Sequence, residues 1–160
     1  MPKKKIGTFK RYPKTKFSVG KFVPQNPQKY VGDVKNIVYR SSWEHRFMKW
    51  LDLHESIVKY SSEELVIPYV HPVDGRVHRY FPDFLVQMKT KEGTIKVMVI
   101  EIKPQAQTVE PTVKTRKTKR LLNEVVTYAI NKNKWDAAKL FCDKRGWQFQ
   151  VLTERDLFNF

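Results

Sequence analysis

An α/β (α+β) fold with a central mixed β-sheet flanked by helices is what this sequence predicts, on three observations. Helical and strand periods follow one another as one helix, four strands, two helices and a late strand. A hairpin signal, Asp74-Gly75, lies between two short strand-like runs, residues 65–70 and 76–80. Finally, 160 residues with 41% hydrophobic and 13% aromatic content are enough to bury one domain core. A strand that arrives after two helices must return to the existing sheet, which makes the sheet mixed.

The chain opens with a segment that lacks such periods. Residues 1–32 hold nine basic residues (Lys3, Lys4, Lys5, Lys10, Arg11, Lys14, Lys16, Lys21 and Lys29) and no Asp or Glu, hence +9 of the formal +15. Pro2, Pro13, Pro24 and Pro27 interrupt it, and its aromatics Phe9, Tyr12, Phe17, Phe22 and Tyr30 recur irregularly. Residues 1–34 therefore read as a basic, extended arm lying on the domain or on a partner, and residues 35–160 as the folded domain. The interleaved aromatics could dock on the domain or stack on bases.

The regular part starts with a helix. Ser41 followed by Glu44 matches a capping box, and Trp43, Phe47, Trp50, Leu51 and His54 then recur at helical spacing. Residues 65–70 and 76–80 flank the Asp74-Gly75 turn as a hairpin, with Pro68 marking an edge or bulge. Asp83 to Met88 reads as a strand, and a turn at Lys91-Glu92-Gly93 leads into the β-branched run from Ile95 to Lys103. Residues 104–115, with two prolines, read as a loop. Helices are expected over 119–131, with Leu121, Leu122, Val125, Val126 and Ile130 inward, and over 135–144, ended by Gly146. Residues 147–153 alternate as the last strand.

The net charge and a pI near 9.9 favour a polyanionic partner. A single cysteine, Cys142, excludes an internal disulfide and a Cys-rich zinc site and suits a reducing compartment. Aliphatic stretches of about seven residues at most are too short for a signal core or a membrane span, so a soluble, intracellular protein is expected. The four histidines, His45, His54, His71 and His78, are scattered with no spacing that suits zinc.

The chemistry concentrates between residues 82 and 103. Side chains alternate along a strand, so Glu101 and Lys103 share a face while Ile100 and Ile102 take the other. Asp83 begins one strand and Glu101 ends the next, so an antiparallel hairpin brings their carboxylates together. Two carboxylates offer the hard oxygen ligands that magnesium takes, with waters and a substrate phosphate completing the octahedron. A lysine beside them can orient or deprotonate a water, or neutralise transition-state charge. Two plainer readings stand beside this one: Glu44 as the capping partner of Ser41, and Glu101 with Lys103 as a simple ion pair.

Taken jointly, Glu44 in the first helix, Pro82-Asp83 and Glu101-Ile102-Lys103 resemble the PD-(D/E)XK nuclease superfamily. Tyr39-Arg40-Ser41-Ser42-Trp43-Glu44 and Tyr80-Phe81-Pro82-Asp83-Phe84 resemble its TnsA-like branch, whose members cut transposon ends. The basic arm and small size are similar to the head-completion nucleases of large tailed phages (myoviruses). The resemblance spans about residues 39–153 and implies a restriction-endonuclease-like core. It implies a Mg²⁺-dependent DNA endonuclease, with Mn²⁺ able to substitute, that hydrolyses phosphodiesters with a metal-activated water and leaves a 5′-phosphate. Asp83, Glu101 and the Ile102 carbonyl would hold the ion, Lys103 the water, and Glu44 an outer position or a second ion. Many members of the branch have Gln where this chain has Glu101.

Double-stranded DNA is the implied partner, contacted by Lys3, Lys4, Lys5, Lys10, Arg11, Lys14 and Lys16. A second cluster, Lys114, Arg116, Lys117, Lys119 and Arg120, is expected near the sheet edge that carries Glu101. Phage portal or neck proteins are further implied partners, and the virion head or neck and the host cytoplasm the implied locations. Gln148 and Gln150 are minor candidates for reaching the scissile phosphate. Two other readings remain open: a non-catalytic DNA-binding head or neck protein, and a transposon-end or junction-cutting nuclease.

Overall fold

The computed structural model of the chain describes residues 17–113 and 115–159. Its centre is a four-stranded sheet in the order β3-β6-β7-β8, formed by Ile57–Ser62, Phe84–Lys89, Ile95–Ile102 and Gln148–Leu152. β3, β6 and β7 run antiparallel, whereas β8 joins β7 in parallel, so the sheet is mixed. A parallel neighbour needs a crossover, and the helix α2 (Lys119–Asp143) supplies it. Two small antiparallel ladders flank the sheet: β1 (Phe17–Lys21) with β2 (Val38–Ser41), and β4 (Ile67–Val70) with β5 (Val77–Tyr80).

Each sheet face has its own apolar cluster. The helix α1 (Ser42–Leu53) lays Trp43, Phe47, Met48 and Leu51 against Phe84, Val86, Met98, Ile100 and Ile102. On the other face Ala138 and Cys142 of α2 meet Val99, with Ile67, Tyr69 and Tyr80 of the β4–β5 hairpin. Alternation along β7 thus puts Ile100 and Ile102 under α1, and Val99 and Glu101 on the side of α2. Ser41 caps α1 by accepting the Glu44 N–H at 3.1 Å. A four-residue helix, α3 (Glu154–Leu157), closes the chain behind a Thr153–Asp156 capping box.

Besides β2 and α3, which the sequence expectation lacked, four features differ from it. β3 escaped it because a bulge after Ile57 breaks the two-residue period, leaving exposed Val58 and Lys59 in succession. α2 is one helix, not two. The polar run Asn131 to Lys134 does not end it, because Asn131 is buried and Asn133 donates to the Val70 carbonyl at 3.0 Å. The expected inward faces of Leu122, Val125 and Val126 are 55%, 39% and 43% exposed, since the first half of α2 runs beyond the sheet.

The fourth difference concerns the arm. Residues 1–16 lie outside the described residues, but residues 17–34 are built into the domain. β1 pairs with β2, and Phe22 and Tyr30 are buried in the α1-side core. Asp52, 1% exposed, accepts the Gln25 N–H at 2.7 Å, the Asn26 N–H at 3.1 Å and the Tyr60 hydroxyl at 3.3 Å. Lys29 donates to the Asp52 and His54 carbonyls at 2.9 Å each, a cation placed on the C-terminal end of α1. The burial comes from aromatics spaced without period, which is why the segment shows no strand or helix signal.

Candidate active site

The register Phe84↔Ile100 in the β6–β7 ladder places Asp83 and Glu101 on neighbouring positions of paired strands. Asp83 Oδ2 accepts the Ile102 N–H at 2.7 Å, and its main-chain carbonyl accepts the Glu63 N–H at 3.1 Å. Glu101 is 5% exposed. Its Oε2 accepts the Tyr80 hydroxyl at 2.7 Å and its Oε1 lies 3.2 Å from Lys103 Nζ. The sequence therefore brings Asp83, Glu101 and Lys103 to one end of β7, with the Ile102 peptide between them.

The electrostatics are those of crowded negative charge. Burial, the adjacent Glu101 and the nearby Glu44 push Asp83 well above the usual carboxylate range, against the Ile102 N–H and Lys103. Burial pulls Lys103 down, but Glu101 and Asp83 outweigh it and hold the side chain as an ammonium. Two hard carboxylates crowded together on neighbouring strands form a donor set that fits a divalent cation of the magnesium class. Glu44 acts on Asp83 and Lys103 through its charge. Its carboxylate accepts the Arg40 N–H at 2.9 Å, and burial raises its proton affinity. Among the described residues, no three carboxylates converge on one point.

Two side chains of the site escaped the sequence reading. Tyr80, 3% exposed, lies on the hairpin strand before Pro82-Asp83 and fixes Glu101 through its hydroxyl. Lys134 extends from α2 with its Nζ 5.6 Å from the Tyr80 ring centre and 5.7 Å from that of Tyr69. Burial lowers its pKa, while Glu101 and Asp83 act against that and Lys103 adds to it. It sits in the run Asn131 to Lys134, which reads as a helix break and carries no signal of a site. Tyr80 offers one clue, its place three residues before Asp83 in a stretch already notable for Pro82-Asp83.

The remaining candidates spread out. Lys3, Lys4, Lys5, Lys10, Arg11, Lys14, Lys16 and Lys114 lie outside the described residues. Lys119 and Arg120 open α2, about 22 Å along the helix from Lys134 at 1.5 Å per residue. Arg120 pairs with Glu124 at 3.0 Å. A cleft of about 900 Å³ runs from Lys119 and Arg120, between α2 and residues 106–112, to Asn131, one turn short of Lys134. Gln148 and Gln150 pair with Met98 and Ile100, so they take the sheet face opposite Glu101 and do not reach the site. His71 and His78, scattered in sequence, meet on the β4–β5 hairpin with Asp74.

Residues 54–154 match the model of the TnsA-like endonuclease N-terminal domain. The head completion nuclease of Enterobacteria phage T4 is 44% identical over 143 residues, covering 86% of this chain and 92% of its own length. The chain belongs to the TnsA-like endonuclease family. It is an endonuclease with a mixed α+β fold, as Pro82-Asp83 and Glu101-Ile102-Lys103 led one to expect. The matched segment contains Asp83, Glu101 and Lys103, whereas Glu44 precedes it. No helix among the described residues is long and apolar enough to cross a membrane.

Proposed function

We propose that this chain is a Mg²⁺-dependent endonuclease that trims or cuts double-stranded DNA ends during phage head completion, working in the virion head or neck and the host cytoplasm. The observation that carries the reading is the joining of Asp83, Glu101 and Lys103 at one end of β7. Asp83 and Glu101, with the carbonyl of Ile102, would hold the ion, Mn²⁺ could replace it, and Glu44 would serve an outer position. A divalent ion bound there supplies Lewis acidity to the phosphoryl oxygen.

The protein's own groups account for the rest. The Lys103 ammonium, held by Glu101, orients the attacking water and neutralises charge that develops on the phosphoryl oxygens. Its raised pKa favours that role over proton removal. The water oxygen bonds to phosphorus and the bond to the 3′-oxygen breaks; one proton of the attacking water passes to solvent and the departing 3′-oxygen takes one back, leaving a 3′-hydroxyl and a 5′-phosphate. Tyr80 holds Glu101 in one rotamer, so the carboxylate is oriented before substrate arrives. The cleft from Lys119 and Arg120 toward Asn131 offers a path for the strand, with residues 1–16 adding positive charge.

The head-completion part of the proposal rests on likeness to the phage T4 protein of that name, and portal or neck proteins are the partners it suggests. The test is incubation with supercoiled plasmid and with linear duplex, each with Mg²⁺ or with EDTA, followed by ligation of the products. Cleavage lost in EDTA, with ligatable 5′-phosphate ends, is the expected result. Cleavage that persists in EDTA, or ends that carry a 3′-phosphate, would overturn the mechanism.

A further inference from the structure

The β4–β5 hairpin carries a group of side chains that the nuclease reaction does not use. His71 lies just past β4, His78 lies on β5 opposite Tyr69, and Asp74 occupies the turn between them. Their ligand atoms all fall within 4.8 Å of one another. Asp74 Oδ2 is 2.8 Å from His78 Nε2, and Asp74 Oδ1 is 3.8 Å from His71 Nδ1. The two imidazole rings stack with centres 4.5 Å apart and planes at 29°.

A hairpin turn needs Asp74 and Gly75 but not two imidazoles converging on one carboxylate. Gly75 adopts φ +67°, which its lack of a Cβ allows. The loop is already tied: the His71 N–H donates to the Arg76 carbonyl at 2.8 Å, and the Gly75 N–H to the His71 carbonyl at 2.9 Å. Asp74 is aimed by accepting the Arg76 N–H at 2.9 Å. His71 Nδ1 accepts the Val73 N–H at 3.3 Å, so an ion would take this lone pair in exchange for one long hydrogen bond. His78 and Asp74 are 39% and 40% exposed, which leaves room for a water as a fourth ligand.

We propose that His71, Asp74 and His78 form a second metal site, separate from the carboxylate centre, that binds a zinc-class ion. Two imidazole nitrogens and one carboxylate with an open position suit zinc and disfavour magnesium. Moderate closing of the three ligand atoms brings them to tetrahedral spacing, and the ion replaces the hydrogen bond between His78 and Asp74. The role follows from position. Tyr69 lies 6.1 Å from the His71 ring, 6.0 Å from that of His78 and 6.5 Å from that of Tyr80, which holds Glu101. An ion at the hairpin tip stiffens the element that supports the catalytic carboxylate.

The test uses the full chain in excess Mg²⁺, titrated with Zn²⁺ by calorimetry, alongside an Asp83→Asn, Glu101→Gln double variant. One zinc ion should bind to both proteins, and His71→Ala or His78→Ala should weaken it by at least about tenfold. In the unsubstituted protein, the imidazole NMR signals of His71 and His78 should move on zinc addition while those of His45 and His54 stay. This second readout needs no variant to fold. Zinc binding lost in the Asp83/Glu101 variant, unaffected by the histidine substitutions, or leaving the His71 and His78 signals unmoved would overturn the site.

Discussion

The hydroxyl of Tyr80 donates to Glu101 Oε2 at 2.7 Å, so that with Lys103 on Oε1 both carboxylate oxygens have a partner within the protein. The pair joins the β4–β5 hairpin to the end of β7 across a buried gap. Tyr80→Phe removes the donor and keeps the ring. A hydrogen bond to a charged group contributes about 1.5–3 kcal/mol. The expected outcome is a single-turnover cleavage rate lowered by roughly tenfold or more, with DNA affinity unchanged, measured by quenched-flow and by a binding titration.

Asp83 predicts a pH dependence whose sign is fixed by its raised proton affinity. Below about pH 4 the carboxyl is protonated in both folded and unfolded chains and has no effect. As pH rises the unfolded chain releases the proton first, so stability falls until the folded carboxyl ionises as well. Metal-free Asp83→Asn should therefore melt higher than the unsubstituted protein at neutral pH, with the difference vanishing in acid. Asn still offers an oxygen to the Ile102 N–H. Mg²⁺ should raise the melting temperature of the unsubstituted protein and leave that of Asp83→Asn nearly unmoved, as calorimetric scans would show.

Lys134 brings a second ammonium toward the carboxylates from α2. Lys134→Met keeps the apolar stem over Tyr69 and Tyr80 and removes only the charge. Cleavage should slow by about tenfold, close to 1.4 kcal/mol of barrier, with the melting temperature held within a degree or two. An unchanged rate across pH and salt would assign the residue to packing alone.

Truncation separates the two halves of the basic segment. Removing residues 1–16 takes away seven basic residues (Lys3, Lys4, Lys5, Lys10, Arg11, Lys14 and Lys16). The logarithmic salt dependence of DNA binding should flatten by up to about 0.9 for each phosphate that these residues neutralise. Stability should stay. Removing residues 1–34 also strips β1, Phe22, Tyr30 and the Gln25 and Asn26 donors to Asp52, and that protein should fail to fold. Circular dichroism together with binding at several salt concentrations distinguishes the two.

Much of this was legible because local signals and tertiary roles coincided. Asp74-Gly75 marks its hairpin, Ser41 caps α1, and the alternation of Val99 to Lys103 foretells which side chains share a face. The neighbouring placement of Asp83 and Glu101 follows from one short turn between two strands. What escaped depends on residues that are distant in sequence. Lys134 reaches the site only because α2 crosses the sheet as one helix, and that continuity depends on Asn133 bonding Val70. His71 and His78 meet only through strand pairing, which the spacing of ligands along the chain does not record. Leu122, Val125 and Val126 have a helical period yet no sheet beneath them, so periodicity alone overstated the core.

The most direct test of the catalytic assignment is single-turnover cleavage of duplex DNA in Mg²⁺ by Asp83→Asn, Glu101→Gln and Lys103→Ala. DNA affinity is measured on the same preparations with Ca²⁺ in place of Mg²⁺. Each substitution should lower the rate by about a hundred- to a thousandfold while the dissociation constant stays within about threefold. Variants that cleave within about tenfold of the unsubstituted protein would contradict the assignment and move the chemistry elsewhere on the chain.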